Sequence, residues 1–313
     1  MRYGVGCVQH WKTGRSALRY ALFIGLAAVA GVLSLVPAAF AQELFVTNFD
    51  GDSITVYNRT DSGDTAPIRT LVGAATGLDG PDGLVLDLIN NELLVANNDI
   101  NAITVYNRTD SGDTAPIRTL VGAATGLNFP RDLAVDLTNN ELFVSNIGNN
   151  SITVYNRTDS GDTAPLRKLV GAATGLNGPR GLLIINNELF VANADGNSIT
   201  VYNRTDSGDT APLRTLVGAA TGLNGPRGLF LDSGELFVAN YDNNSITVYN
   251  RTDSGDTAPL RTLVGASTGL NGPKELAVSP SGIPTLSEWA QIGMAALLVG
   301  GGLLAVRRNG RLS

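Results

Sequence analysis

Short apolar segments of six or seven residues recur along most of the chain, separated by polar turn residues. In one stretch four of them follow one another, at residues 188–193, 198–204, 212–217 and 226–232. They are rich in Val, Ile, Leu, Phe, Thr and Tyr, and the first two alternate apolar with polar positions, as strands do. Clusters of Gly, Asn, Asp, Ser and Pro between them are typical of turns. The pattern predicts β-strands and no helix in this region, because no window has a sustained period of 3.6 residues.

These four segments belong to a unit that repeats five times. The string ITVYNRTDSGDTAP occurs five times without change, at spacings of 49, 49, 47 and 47 residues. Four strands in 47–49 residues is the size of one blade of a β-propeller. We therefore predict an all-β, five-bladed propeller of four-stranded blades over residues 42–282.

The order of the segments predicts how the propeller closes. The repeats begin with the first segment, at residues 43–46, and end with the fourth, at residues 273–278. If the fourth segment is the innermost strand, the last strand of the chain completes a blade with the first three, which removes exposed strand edges. An open β array or a ring with another number of blades is the alternative.

The repeats resemble those of NHL-type propellers. That family has a GP-x-G-L-x-x-D strand, a YVAD-like strand and an N-x-x-I-x-V strand, which here read GPRGLFLD at 225–232, ELFVAN at 235–240 and NNSITVYN at 243–250. The Asp of the family's second strand is Asn240 here. The resemblance implies a propeller that is a binding scaffold or, less often, an enzyme, so it indicates the fold better than the function.

The first 41 residues form one of two predicted targeting segments. Four basic residues and no acid accompany an apolar stretch at 20–36, which the pattern Ala39-Phe40-Ala41 follows. These features predict a signal peptide that signal peptidase cleaves after Ala41, with a retained membrane anchor as the alternative. Cleavage would remove Cys7 and His10, the only Cys and His of the chain.

Residues 283–313 form the second targeting segment. Residues 289–306 contain one strongly polar side chain and precede three arginines, which predicts a transmembrane helix with a cytoplasmic tail and an exported domain. The motif before this helix resembles the IPTL-CTERM sorting signal of Gram-negative bacteria, in Ile283, Pro284, Thr285, Leu286 and Trp289. The resemblance implies an exosortase-type enzyme as partner and delivery of the protein to the outer surface or the medium.

Charge and composition exclude several functions of residues 42–282. This region has 15 basic and 27 acidic residues, so nucleic acid is a poor partner. Without His or Cys, the mature chain has no Ser-His-Asp or Cys-His catalytic group and no zinc ligands. Only oxygen ligands remain, so we expect no cofactor unless it is Ca²⁺. Weak candidates for binding Ca²⁺ are the turn residues Asp50, Asp52 and Asp195, for which turn formation is the alternative role.

The residues that follow the proline of each predicted inner strand are the candidate ligand-binding site. Equivalent strand starts in a propeller surround one mouth of its channel, and four of these five residues are basic. The five are Asp82, Arg131, Arg180, Arg227 and Lys274. We expect a positive ring that attracts an anionic ligand. The alternative is that each arginine pairs with a nearby acid such as Asp132 or Asp136.

Two further repeated residues have simpler explanations. The repeated tyrosine, Tyr57 in the first copy, packs between blades or, alternatively, forms an exposed aromatic surface. The repeated arginine, Arg59 in the first copy, lies next to Asp61, so we expect a local ion pair or a solvated turn.

The function predicted is a secreted, non-catalytic binding or structural module with an adhesion or matrix role. Its ligand would be a surface polysaccharide or a protein, and the nearly identical repeats favour multivalent binding of an anionic polymer. The alternative is a propeller enzyme of lactonase or lyase type that uses a metal bound by oxygen ligands. The largely basic mouth and the lack of a distinct acidic cluster argue against it.

Overall fold

A computed structural model describes residues 43–276. These residues fall into two compact units, the first comprising 43–46 and 54–70, the second comprising 47–53 and 71–276. Strands make up the regular structure of both units, apart from short 3₁₀ turns. The all-β character that the alternating segments predict is confirmed.

The first sheet has three antiparallel strands in the order β1-β2-β3. They are β1 (Glu43–Asn48), β2 (Ser53–Asn58) and β3 (Arg69–Val72). Ile54 and Val56 on β2 are buried, and they alternate with half-buried neighbours as the sequence pattern predicts. We refer to this sheet as the first blade.

Four further sheets each contain four strands in chain order. The second blade consists of β4 (Pro81–Asp87), β5 (Glu92–Asn97), β6 (Ala102–Asn107) and β7 (Arg118–Leu120). The third consists of β8 (Pro130–Asp136), β9 (Glu141–Asn146), β10 (Ser151–Asn156) and β11 (Arg167–Leu169). The fourth consists of β12 (Pro179–Ile185), β13 (Glu188–Asn193), β14 (Ser198–Asn203) and β15 (Arg214–Val217). The fifth consists of β16 (Pro226–Asp232), β17 (Glu235–Asn240), β18 (Ser245–Asn250) and β19 (Arg261–Val264).

Each four-stranded blade therefore begins with the fourth segment of one repeat and continues with the first three segments of the next. β4, β8, β12 and β16 lie beside one another in this order, since β8 contacts β4 and β12, and β12 also contacts β16. They are the inner strands of their blades, and the predicted phase of the repeats is confirmed.

Short 3₁₀ turns follow the outermost strand of each blade. Those turns are Ala74–Thr76, Ala123–Thr125, Ala172–Thr174, Ala219–Thr221 and Ala266–Thr268, and two more, Phe49–Gly51 and Ile147–Asn149, follow β1 and β9. Each of the five is preceded by a glycine with φ between 114° and 136°, a conformation that a residue with a Cβ rarely adopts.

The core lies between successive blades of the second unit. Phe190, Val201 and Leu216 of the fourth blade pack with Leu229 and Val238 of the fifth. Equivalent clusters join the second to the third blade and the third to the fourth. Because each sheet covers the face of the next, both faces of an interior blade are removed from water, which explains the nearly fully buried strands β5, β10 and β14.

The repeated tyrosine packs between blades, as one of the two interpretations predicts. Tyr106, Tyr155, Tyr202 and Tyr249 have no exposed surface. In each case the hydroxyl donates to the carbonyl oxygen of a threonine in the preceding 3₁₀ turn, for example Tyr202 to Thr174 at 2.5 Å. Burial raises the pKa of Tyr202 to about 12. The exposed aromatic surface, the other interpretation, is wrong for these four copies.

The chain is thus an all-β propeller of five blades, as the repeats predict, with one difference in the first. Pro273–Leu276 continue the inner-strand pattern but form no strand, and the first sheet has three strands rather than four among the described residues. The predicted closing strand at 273–278 continues beyond the described residues, so its pairing stays a prediction.

Both predicted targeting segments lie outside the described residues. They are residues 1–41, with the cleavage motif Ala39 and Ala41, and residues 283–313, with the sorting motif and the predicted transmembrane helix at 289–306. Within residues 43–276, no helix has the length and apolar character needed to span a bilayer.

Candidate functional site

All five residues of the predicted channel mouth line one pocket. Asp82, Arg131, Arg180, Arg227 and Lys274 surround it together with Gly83, Asp132, Gly181 and Glu275, and its volume, including the part open to solvent, is about 310 Å³. We call it the inner-strand pocket. The structure therefore brings the five positions together, while their role in binding a ligand stays a prediction.

An irregularity at the start of each inner strand directs these residues into the pocket. The opening proline pairs with the asparagine that ends the next strand, but regular pairing resumes only three residues later, at Leu84, Leu133, Leu182 and Leu229. The two residues after the proline thus leave the ladder, as in a β-bulge, which re-aims side chains at the end of a sheet. This explains why the residues directly after the proline reach the pocket.

The inner strands approach most closely at the second residue after the proline. A Cβ atom added to Gly181 would lie 1.9 Å from the carbonyl oxygen of Arg227, and one added to Gly83 would lie 2.3 Å from that of Arg131. Only glycine fits such spacing. Glycine occupies this position in three inner segments, and an acid, Asp132 or Glu275, occupies it in the other two.

Asp132 is accommodated by a local hydrogen-bond network. Its backbone N–H donates to the hydroxyl of Ser145 at 2.9 Å, and that hydroxyl donates to the carbonyl oxygen of Arg180 at 2.7 Å. Its carboxylate accepts the backbone N–H of Leu182 at 2.8 Å. The fully buried Ser145 stands where the second, fourth and fifth blades have alanine, so this serine and Asp132 depart from the repeat together.

The cations of the pocket are of two kinds. Arg131 pairs with Asp82 on the neighbouring inner strand, which differs from the predicted alternative in which Asp132 or Asp136 is the partner. Arg180 and Arg227 form no ion pair within residues 43–276, and the Nε atom of each is buried without a hydrogen-bond partner. Lys274 also forms no ion pair there.

Burial and mutual repulsion act on the two unpaired arginines. Burial lowers the pKa of Arg180, and the guanidinium groups of Arg227 and Arg131 lower it further. Burial also lowers the pKa of Arg227, whose Cζ lies 3.4 Å from the centre of the Tyr241 ring in a stacked arrangement. Both guanidiniums thus lack an ion pair within residues 43–276, which is the condition that the predicted anion site requires.

Three carboxylates share the pocket with these cations. Asp82 is one of the predicted mouth residues and Asp132 was expected as a partner of an arginine, whereas Glu275 was not anticipated from the sequence. Burial raises the pKa of Asp132 to about 6, and the charge of Asp82 adds to the shift against two backbone hydrogen bonds. Glu275 is an exposed residue that lines the pocket. Loss of solvation raises its pKa to about 8, and the charges of Asp132 and Asp82 add to the shift. The mouth thus holds three acids beside four cations, so it is less basic than the five predicted positions alone indicate.

A sequence signal for these residues does exist. Asp132, Ser145, Tyr241 and Glu275 are departures from a repeat that is otherwise nearly unchanged, and all four lie at the pocket or next to one of its residues. The turns that follow ELFVAN and its equivalents also vary, from Phe49 to Tyr241. Part of the sequence variation thus lies at the pocket end of the blades.

The turn aspartates have structural contacts. The carboxylate of Asp52 accepts the N–H of Gly80 at 2.8 Å, and Asn150 and Asn197 make the same bond to Gly178 and Gly225 with an amide oxygen. Asp50 is exposed in its 3₁₀ turn, and Asp195 lies against Gly178. In residues 43–276 no three His, Cys, Asp or Glu side chains are grouped so as to hold a metal ion.

The repeated arginine does not pair locally, so that prediction is wrong for three copies. Arg157 pairs with Asp87, Arg204 with Asp136 and Glu141, and Arg251 with Glu188, all on other strands. The adjacent aspartate instead closes its own turn, as Asp206 does by accepting the backbone N–H of Asn203 at 2.8 Å. These arginines therefore link blades to one another.

Comparison with known proteins adds a family resemblance for part of the chain. Residues 113–224 match the family model described as "Lactonase, 7-bladed beta-propeller". This match covers two of the five inner strands and includes Arg131, Asp132 and Arg180. No curated protein matches the chain.

Solved structures share the fold at low identity. The chain is similar to Chaetomium thermophilum Raptor, with 19% identity and a TM-score of 0.54 over 76% of this chain and 21% of that one. It is also similar to a chain of the nidogen/laminin complex, with 17% identity and a TM-score of 0.55 over 75% of this chain and 80% of that one. The chain thus spans about a fifth of the Raptor chain. Identities this low show the propeller fold alone.

Proposed function

We propose that this protein is an exported, non-catalytic binding module whose inner-strand pocket holds an anionic group of a surface polysaccharide or a protein ligand. The observation that carries the proposal is the pair Arg180 and Arg227, which are partly buried, close enough to repel and without an ion-pair partner in residues 43–276. A bound carboxylate or similar oxyanion would supply both with charge-assisted hydrogen bonds. It would also relieve their repulsion.

The size of the pocket favours a single anionic group over a whole polymer segment. Its volume of about 310 Å³ includes space that is open to solvent, so the enclosed part of the pocket is smaller than this figure. Such a pocket suits a single carboxylate group. Since the five inner-strand positions form one pocket, each chain presents this site once, and multivalent binding would need the repeated outer surfaces of the blades or several chains.

Location at the cell surface is part of the same proposal. It rests on the signal-peptide pattern before Gln42 and on the IPTL-type motif with its apolar segment and basic tail. Signal peptidase and an exosortase-type enzyme are the processing partners that these segments imply. An adhesion or matrix role is consistent with such a location. If the pocket binds no ligand, the protein would instead be a structural component of the cell surface.

Calorimetric titration of the purified full chain with oligogalacturonate tests the binding function. Neutral galactose oligomers are the ligand control. We expect saturable binding of the acidic oligomer, and a loss of affinity of about tenfold or more in Arg180→Gln and Arg227→Gln, since charged hydrogen bonds contribute about 1.5–3 kcal/mol each. Lys168→Gln removes a positive charge from the outermost strand β11, away from the pocket, and serves as the matched control. Equal affinity of all variants would overturn the assignment of the site.

A lactonase-type enzyme is the second candidate, because residues 113–224 match that family model. The described residues offer no metal-binding group, so this activity would have to come from the carboxylates of the inner-strand pocket or from residues outside 43–276. Hydrolysis of lactones by the same preparation, lost in Asp132→Asn but kept in Lys168→Gln, would favour the enzyme over the binding module. Sensitivity of that hydrolysis to a chelator would point to a metal.

A further inference from the structure

The inner-strand pocket combines cations and acids from every inner segment that lines it. Asp82 comes from β4, Arg131 and Asp132 from β8, Arg180 from β12, Arg227 from β16, and Lys274 and Glu275 from the equivalent terminal segment. Asp195 and Asp242, in the turns before β14 and β18, act electrostatically on Arg180 and Arg227 respectively. With all seven lining groups ionised, four positive charges face three negative ones. One proton more or less is therefore a large relative change in the charge of the pocket.

Two of the acids stand where the fold otherwise requires glycine. Asp132 is fixed in place by the N–H of Leu182 and by the Ser145 bridge to Arg180. Glu275 lies against Gly228, where an added Cβ would come within 3.1 Å of Oε2. Neither acid forms an ion pair within residues 43–276. Both carboxylates therefore line one pocket without an ion pair of their own, Asp132 half-buried and Glu275 exposed.

Confinement and like charge both disfavour the ionised forms of this pair. Removing a carboxylate from bulk water penalises its charged state, and a second carboxylate in the same site adds repulsion. Two acids that interact in this way titrate as a pair rather than as independent groups. The pair can then hold a proton at a pH at which isolated carboxylates are ionised.

We propose that the pocket takes up its anionic ligand together with one proton from solvent, which the Asp132–Glu275 pair holds. This inference rests on the proposed function and specifies how the same site is regulated. The proton forms an O–H bond on one carboxylate, no other bond changes, and the net charge of the pocket rises by one as the anion arrives. Binding therefore tightens as the pH falls and weakens as it rises.

The direction follows from linkage between the two equilibria. A bound anion is repelled less by the protonated pair, which carries one negative charge fewer than the ionised pair. Binding of the anion therefore raises the affinity of the pair for its proton, and protonation raises the affinity of the pocket for the anion by the same factor. The pKa of Glu275, about 8, and that of Asp132, about 6, place the transition between mildly acidic and mildly alkaline pH.

The test is titration of the full chain with oligogalacturonate at several pH values from 6 to 9, each in two buffers of different ionisation enthalpy. The ligand keeps its charge over this range, so a change in affinity reports on the protein. We expect uptake of up to one proton per bound ligand, and an affinity that falls by up to about tenfold per pH unit on the alkaline side of the transition. The uptake measurement needs no variant, so it stands even if a substitution impairs folding.

Two substitutions locate the proton. In Glu275→Gln the alkaline loss of affinity should disappear, and binding at pH 9 should be as tight as binding of the wild-type chain at low pH. In Asp132→Asn the dependence near pH 6 should be reduced. Glu235→Gln removes an exposed carboxylate on β17 whose pKa is held below its usual range by Arg261, and it should leave the pH profile unchanged.

The outcomes separate this inference from the proposed function. Binding that depends on Arg180 and Arg227 but shows no proton uptake and constant affinity from pH 6 to 9 would overturn the proton-coupled mechanism alone. A pH dependence that persists in both Glu275→Gln and Asp132→Asn would assign the proton to another group and overturn it as well. Absence of binding at every pH would count against the binding function itself.

Discussion

The interfaces between blades and the pocket end of the same blades are built from one repeat, yet they differ in how polar groups are satisfied. Between blades, Tyr202 donates to Thr174 and Asp209 accepts the N–H of Ala173 at 2.6 Å, in an arrangement repeated with little change from one pair of blades to the next. At the pocket, the equivalent positions carry different side chains, and Arg180 and Arg227 remain without ion pairs in the described residues.

This difference shows which residues serve folding and which are available for binding. An interface that must recur with the same geometry tolerates few changes, because a buried polar group without a partner costs about 1–3 kcal/mol. The pocket is formed once per chain rather than once per pair of blades, so its residues can vary from blade to blade. Within the candidate site, Arg131, Arg180 and Arg227 keep the repeated residue, whereas the acids Asp132 and Glu275 are departures from the repeat.

Breaking the most buried ion pair between blades should have the largest effect on stability. The side chains of Arg157 and Asp87 are 8% and 0% exposed, whereas those of Arg251 and Glu188 are 29% and 21% exposed. Arg157→Met leaves Asp87 buried without its cation, and we expect a loss of about 3–5 kcal/mol in the free energy of unfolding. Arg251→Met is the matched variant and should lose about 1 kcal/mol or less. Urea unfolding measures both, and equal losses would contradict the role of burial.

Adding a side chain where the inner strands approach most closely should have the next largest effect on stability. Gly181→Ala places a methyl group against the carbonyl oxygen of Arg227, and we expect a loss of about 1–3 kcal/mol from overpacking. Gly51→Ala is the matched control, because its Cβ would meet no atom closer than 3.6 Å and should change stability by about 0.5 kcal/mol or less. If thermal unfolding gives the same shift for both variants, the inner strands are not as close as the structure indicates.

The smallest effects on stability are expected when single polar groups are replaced, one that is hydrogen-bonded to its partner and one that has no ion pair. Tyr202→Phe removes the hydroxyl and leaves the buried Thr174 carbonyl without its donor, so we expect a loss of about 1–2 kcal/mol. Arg180→Gln removes a cation that burial and neighbouring guanidiniums destabilise, so we expect stability to change by about 0.5 kcal/mol or less while the affinity for oligogalacturonate falls. A marked destabilisation by Arg180→Gln in urea would show that the arginine has a structural role.

Much of the fold could be predicted from the sequence because its signals are local. Alternation within segments such as ELFVAN locates the strands, and the turn residues between them locate the hairpins. The phase of the repeats predicts that Pro226–Asp232 begins a blade, and the pairing of β16 with β17 confirms it. The five residues after the prolines were grouped correctly because equivalent positions of a repeat lie at the same end of the blades.

Glu275 was missed, and Asp132 was expected only as a partner of an arginine, because averaging over the repeats hides single departures. Asp132 and Glu275 occupy a position that reads as glycine in the other inner segments, and the hydrogen bond from Ser145 to Arg180 joins residues 35 positions apart. The partners of the repeated arginines were also predicted wrongly. Arg157 reaches Asp87, 70 residues away, rather than the aspartate next to it in the sequence, since the nearer carboxylate already accepts backbone N–H groups of its own turn.

The amino-acid sequence by itself determined the strands, the repeat unit, its phase and the charge of the domain, because alternation, turn chemistry and period are properties of neighbouring residues. Only the tertiary structure decided which charges are paired, which are left open, and which carboxylates share a confined space with them. The physical reason is that the energy of a charge depends on burial and on the distance to other charges, and both are set by strands that meet in space from repeats far apart in the chain.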